Sequence, residues 1–151
     1  MPIKAVYKHT NIVARDWKSL VQFYQQVFGC IPAPPERYHH GSWVEQVTAI
    51  PRAEIRGIHL RLPGCGERGP TLEILSYNQE SERYDTAANR PGFSHIAFSV
   101  EDVEEARRCV IEAGGGSLGE IASVDVPGAG RLTVAYLTDP EGNIVEVQTW
   151  S

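Results

Sequence analysis

A repeat of a strand-and-helix unit constrains this chain more than any other feature. Lys8 to Cys30 reads KHTNIVARDWKSLVQFYQQVFGC, and Gly92 to Gly116 reads GFSHIAFSVEDVEEARRCVIEAGGG. One constant offset aligns His9 with His95, Asp16 with Asp102, and Gly29 with Gly115. In the second copy His95, Ala97 and Ser99 fall on one strand face and Ile96, Phe98 and Val100 on the other. Asp102 is the expected N-cap, and Glu105 three residues on forms a capping-box-like pair with it. Val103, Ala106, Val110 and Ala113 then recur at helical spacing until the glycines from Gly114 stop the helix. The first copy places Trp17, Leu20, Val21, Tyr24 and Phe28 on one helical face. A repeat of this length means two similar modules, so it decides the fold before any finer reading.

The rest of the chain supplies strands after each helix. In the first module Ala5 to Val13 is the opening strand, and the Pro-rich Ile31 to Pro35 allows an edge strand or extended segment. His39 to Pro51 reads as a short helix or a covering loop, with His39 and His40 as loop residues. Glu54 to Leu62 and Thr71 to Ser76 complete the module. The second module continues with strands at Ser117 to Val124, Arg131 to Thr138 and Asn143 to Gln148. Asp139-Pro140-Glu141-Gly142 has the residues of a type I turn. Each module is therefore β-α-β-β-β. The expected fold is α+β, a single domain over residues 1–151, with modules at about 5–76 and 91–149. The polar segment 77–90 links them and leaves room for a crossover or a domain swap.

Composition closes off several functions. The net charge of -5, with no Lys/Arg cluster, argues against nucleic-acid binding. No apolar run approaches the roughly 20 residues that span a bilayer, and MPIKAVYKHT is neither a signal nor a transit peptide. Three cysteines without a CxxC pair suit a reducing cytoplasm.

Four residues carry the chemistry: His9 and Glu73 from the first module, His95 and Glu146 from the second. Each glutamate sits between apolar neighbours in its module's last strand, where a carboxylate is costly to bury unless paired or metal-bound. Singly, each histidine could be a strand-end residue bonded to backbone, and each glutamate an edge-strand or salt-bridge carboxylate. Their symmetric recurrence favours a shared site. If the modules pack about a pseudo-twofold axis, two imidazoles and two carboxylates converge. That donor set suits a borderline or hard divalent ion with two positions left over.

These stretches, His9 through QFYQQVFG, TLEILSYN, FSHIAFSVEDVEEA and YLTDPEGNIVEV, resemble the vicinal oxygen chelate superfamily, which includes glyoxalase I, methylmalonyl-CoA epimerase, extradiol dioxygenases and fosfomycin- or bleomycin-resistance proteins. The resemblance covers nearly the whole chain. It implies paired βαβββ modules forming a cupped mixed sheet around a divalent metal (nickel, cobalt, zinc, manganese or iron) held by His9, Glu73, His95 and Glu146. It further implies a homodimer and a small-molecule substrate.

The full His-Glu-His-Glu set resembles glyoxalase I, a lyase working through a metal-chelated enediolate. Glu146 then corresponds to the base that moves the proton, with Glu73 as alternative. The arginine that glyoxalase I carries four residues after its first histidine is replaced here by Val13. An epimerase-like isomerase uses the same enolate chemistry but has a double histidine where Ser94-His95 stands. An extradiol dioxygenase would hold iron on His9, His95 and Glu146, with Tyr136 as a tyrosine near the site; Tyr136 is otherwise a core aromatic. A resistance-type binding protein would need no metal. Arg61 and Arg131, on strands expected to line the cup, are further candidates, with solvent-facing positions as the alternative.

Overall fold

The computed structural model describes all 151 residues. They divide into two compact units, Met1–Glu82 and Arg83–Ser151. The boundary falls inside the segment that the sequence reading assigns to the linker.

The first unit contains β1 (His9–Val13), α1 (Trp17–Phe28), β2 (Ile31–His39), α2 (Ser42–Thr48), β3 (Ile55–Arg61) and β4 (Thr71–Tyr77). The second contains β5 (His95–Ser99), α3 (Val103–Glu112), β6 (Gly116–Ser117), β7 (Ala122–Val126), β8 (Gly130–Thr138) and β9 (Ile144–Trp150). The chain is α+β, as the repeat implies, and each unit builds its own mixed sheet. The first has the order β1-β4-β3-β2, with β1 parallel to β4. The second runs β5-β9-β8-β6, with β5 parallel to β9 and β7 paired to the other half of β8. The registers coincide: Asn11, two residues past His9, lies opposite Glu73, and Ala97, two past His95, lies opposite Glu146.

Helices α1 and α3 start where the sequence says. Asp16 accepts from the Ser19 backbone N–H at 3.2 Å and the Ser19 hydroxyl at 2.7 Å, bonds that hold its carboxyl below the usual range. Asp102 likewise accepts from the Glu105 N–H at 3.1 Å. The reciprocal half of the capping box is displaced, because the Glu105 carboxylate is drawn to Arg108 one turn on. Gly29 ends α1 with φ 69°, and the Cys30 N–H reaches back to the Tyr24 carbonyl. Helix α3 is shorter, and its left-handed glycine is Gly114. The aligned Gly115 serves close approach instead: a Cβ there would stand 2.3 Å from the Thr138 carbonyl oxygen.

Packing follows the amphipathic pattern. Leu20, Val21, Phe23 and Tyr24 of α1 are buried on a helix that packs against β2, β3 and β4. Phe23 lay off the face read from the sequence, yet it is buried with its ring edge-on to Tyr24. Val103 and Val110 anchor α3 on the second sheet. Burial of each such side chain contributes about 1.5–3 kcal/mol.

Four local readings are corrected. Residues 5–8 carry no strand, which starts at His9. His39 is the last residue of β2 rather than a loop residue, its ring edge-on to Trp43, while His40 follows the strand and lies against Tyr38. Strand β2 runs on past Pro35 through a shift in its pairing to β3 between Ala33 and Arg37, so Pro34 and Pro35 fall where neither has a register partner on β3. The strand expected at Ser117 to Val124 is two, β6 and β7, each paired to a different part of β8.

One element has no counterpart in the second unit. Helix α2 lowers Val44 onto Ala53, Ile55 and Leu75, with Ile50 and Tyr77 packed alongside. Strand alternation puts Ile55 and Leu75 on the same sheet face as His59 and Glu73. The helix therefore covers one end of that face and leaves the His59–Glu73 end open.

Candidate metal centre

In the first unit His9 Nε2 lies 3.4 Å from Glu73 Oε1. Both residues belong to the outward face of the parallel β1–β4 pair, where His9, Asn11 and Val13 are exposed and Thr10 and Ile12 turn inward. The Glu73 side chain keeps 14% of its accessible surface. Its other oxygen, Oε2, is 2.9 Å from His59 Nε2, and the His59 ring stands edge-on to His9 with centroids 5.2 Å apart. The donor atoms of His9, His59 and Glu73 all lie within 4.8 Å of one another.

His59 is the residue the sequence reading missed. It is the direct cross-strand neighbour of Glu73, a relation that exists only once β3 and β4 are in register. Its Nδ1 is 2.7 Å from the Thr71 hydroxyl. Burial holds its pKa below the ordinary histidine range, helped by Arg37 and His9 and opposed by Glu73.

The second unit repeats the pair. His95 Nε2 is 3.9 Å from Glu146 Oε1, and the Glu146 side chain is again 14% exposed. His95 Nδ1 lies 3.2 Å from the Ser94 hydroxyl, which also reaches the Ala88 carbonyl at 3.3 Å. The Ser94 hydroxyl can donate to that carbonyl while its oxygen accepts from His95 Nδ1–H, the tautomer in which Nε2 is free to bind an ion. Tyr136 occupies the place that His59 holds in the first unit, directly across from Glu146. Its ring lies 4.8 Å from that of His95. Glu146 Oε2 accepts from Gln148 Nε2 at 2.6 Å, a second contact the sequence reading missed.

Each unit thus brings together the histidine and glutamate expected from the sequence, and the second adds Tyr136. The arginines divide. Arg61 shares the face of His59, its Nη1 3.8 Å from Glu67 Oε1 and its Nε buried without a hydrogen-bond partner. Arg131 bonds Asp125 at 3.0 Å, and strand alternation puts it on the face opposite Tyr136. A cleft of about 760 Å³ elsewhere in the first unit is lined by His40, Glu45, Arg52, Glu54 and Asn78, among others. It contains none of the histidine–glutamate pairs.

The donors suit a divalent ion. Two atoms each about 2.1 Å from one ion stand about 3.0–3.4 Å apart for octahedral or tetrahedral angles. The His9–Glu73 separation of 3.4 Å falls there, and the His95–Glu146 separation of 3.9 Å lies a side-chain adjustment away. Imidazole with carboxylate is the ligand chemistry of zinc, manganese, iron, cobalt and nickel.

Fold and site together define a class: tandem βαβββ units, each presenting one histidine and one glutamate from a parallel strand pair. The sequence profile of the Glyoxalase/Bleomycin resistance protein/Dioxygenase superfamily matches residues 6–147. The chain belongs to that superfamily, the vicinal oxygen chelate proteins. It is similar to a probable lactoylglutathione lyase from Synechocystis sp., 27% identical over 148 residues that cover 95% of each chain. Among solved structures it resembles a glyoxalase family protein from Bacillus cereus, with TM-score 0.80 and 18% identity over 98% of this chain and 96% of the other. It also resembles a fosfomycin resistance protein from Listeria monocytogenes, with TM-score 0.56 and 16% identity over 99% and 94%. At those identities the structural matches speak for the fold alone. No helix is long and apolar enough to cross a membrane.

Proposed function

We propose that this chain is a metal-dependent lyase or isomerase of the glyoxalase I kind, acting on a small substrate through an enediolate. The observation that carries the reading is the duplicated pair: in each unit a histidine Nε2 faces one glutamate oxygen on an open sheet face. His9 and Glu73 supply metal ligands in the first unit, and His95 and Glu146 supply them in the second. A divalent ion bound there would polarise two adjacent substrate oxygens and make the neighbouring carbon acidic. Glu146 takes the proton from that carbon and returns it to the next, and Glu73 is the alternative carrier. Tyr136, against His95, borders the substrate. Ala97 and Ser99, small and on the His95 face, leave it room. The name of the Synechocystis relative supports the lyase over the isomerase.

The protein acts as a homodimer in a reducing cytoplasm, and the test includes the way the two pairs combine. Purified protein is expected to hold a stoichiometric divalent metal and to turn over a glutathione hemithioacetal. His9→Ala and His95→Ala should each abolish turnover. Mixing the two inactive variants restores activity if a centre is shared between subunits, and does not if both pairs come from one chain. A wild type that binds no metal under any loading condition ends the reading.

The packing of Tyr136 on His95 favours one second reading, a ring-cleaving dioxygenase with iron on His9, His95 and Glu146. Oxygen uptake on a catechol by the iron-loaded protein would select it.

A further inference from the structure

In both units the glutamate oxygens are used differently. Oε1 faces the histidine, while Oε2 is held by a nitrogen of another side chain: His59 Nε2 at 2.9 Å for Glu73, and Gln148 Nε2 at 2.6 Å for Glu146. Each of these holders is itself backed by a third group. The Thr71 hydroxyl lies 2.7 Å from His59 Nδ1, and Trp150 Nε1 donates to Gln148 Oε1 at 2.6 Å.

The backing groups decide which way each holder points. An indole N–H can only donate, so Gln148 must present its carbonyl oxygen to Trp150 and its NH₂ to Glu146. A neutral imidazole has one N–H and one lone pair. Facing the Glu73 carboxylate, Nε2 must carry the hydrogen, and Nδ1 then accepts from Thr71. That tautomer leaves His59 no lone pair toward the open face, although its nitrogen lies close enough to His9 and Glu73 to count among possible ligands.

The two holders come from different places for a packing reason. Gln148 is two residues beyond Glu146 on the same strand, and the corresponding residue of the first unit is Leu75. Leu75 is buried in the cluster that α2 builds with Val44, Ala53 and Ile55. An amide at that position would be buried among apolar groups, so the donor arrives from the neighbouring strand as His59. In the second unit that cross-strand place belongs to Tyr136, and no α2 covers Gln148.

We propose that His59 and Gln148 are matched positioning residues, which fix Glu73 and Glu146 as one-oxygen ligands through the relays Thr71–His59–Glu73 and Trp150–Gln148–Glu146. This rests on the metal reading above for its consequence, though the hydrogen bonds stand without a metal. Tying up Oε2 prevents each carboxylate from chelating with both oxygens. Coordination positions are thereby kept for the substrate, and the ligand geometry is set before the ion arrives.

The test uses the full-length protein and Co²⁺ as the probe, with affinity from chelator competition and geometry from the visible absorption spectrum. His59→Ala and Gln148→Leu are each expected to weaken Co²⁺ binding by about 10–100-fold. His59→Gln, which restores an N–H donor, should recover most of that loss with an unchanged spectrum. Trp150→Phe should give a smaller loss in the same direction as Gln148→Leu. In parallel, long-range ¹⁵N–¹H spectra of the metal-free protein should show His59 with hydrogen on Nε2. Wild-type affinity in both His59→Ala and Gln148→Leu overturns the proposal and leaves the metal reading intact. Failure of His59→Gln to rescue, with a spectrum that has lost one nitrogen ligand, overturns it by making His59 a ligand. A wild type that binds no Co²⁺ defeats the metal reading, and the tautomer then decides the relay alone: hydrogen on Nδ1 refutes it, hydrogen on Nε2 upholds it.

Discussion

The two units share one strand register and differ in almost everything placed around it. Each sets a histidine two residues ahead of the strand position opposite a glutamate, so the pair forms by backbone pairing. Beyond that pair, the first unit has His59 where the second has Tyr136, Leu75 where the second has Gln148, and helix α2 where the second has no helix. The β3–β4 connection is an open loop from Leu62 to Pro70, whereas Asp139 is buried at the β8–β9 turn and accepts from Glu141 N–H, Asn143 N–H and the Asn143 side chain. The difference teaches that the duplicated fold secures the donor pair, and that the neighbours are free to diverge into a more nitrogen-rich half and a half with a tyrosine at the carboxylate.

That contrast can be broken most forcefully at the carboxylates. Glu146→Gln should lower kcat by about 10²–10⁴, the usual contribution of a positioned general base. Glu73→Gln should instead show mainly as weaker metal affinity, with a much smaller fall in kcat at saturating metal. Equal kcat losses in both, measured on metal-loaded protein, would erase the division of labour. Next in size are the cores, where the units should behave alike. Leu60→Ala and Leu137→Ala, both at fully buried sites, should each cost about 2–5 kcal/mol in urea unfolding. A much smaller cost in one unit would mean that its core is not close-packed.

The turns should separate again. Asp139→Ala leaves three part-buried donors without their acceptor and should cost about 1–3 kcal/mol, while Glu67→Ala in the open loop should leave the urea midpoint in place. Smaller still, Tyr136→Phe should keep metal affinity and slow turnover by about fivefold, the worth of one hydrogen bond of about 1 kcal/mol. A loss of several hundredfold would instead make the Tyr136 hydroxyl part of the chemistry. The mildest probe is alkylation. Burial pushes the Cys30 thiol up to about 11, so it stays protonated and unreactive at pH 8 and gains thiolate only as the pH approaches that value. Exposed Cys65 should react at pH 8, and mass spectrometry of the labelled peptides distinguishes them.

Much of this was legible in the chain. The repeat gave both helices with their aspartate caps and the opening strands with their inward and outward faces, because those follow from side-chain periodicity and local hydrogen bonding. It also singled out the two histidines and two glutamates, whose recurrence at matched places is visible without any contact map. The less legible parts depended on partners distant in sequence. Residues 5–8 lack a strand, although their alternation allowed one. Glu105 prefers Arg108 to the cap, a competition between two short-range bonds that propensity does not rank.

His59 shows the limit best. It follows Ile58 in a well-alternating strand, and nothing in that strand says that Glu73 will lie beside it. The same holds for Gln148, whose amide is oriented by Trp150 two residues on. The sequence by itself determined the two units, their strand and helix pattern, and the two histidines and two glutamates that recur at matched places. Tertiary structure alone decided which oxygen of each glutamate is held and by what, because cross-strand register and the covering helix α2 set those contacts, and neither is encoded in local periodicity.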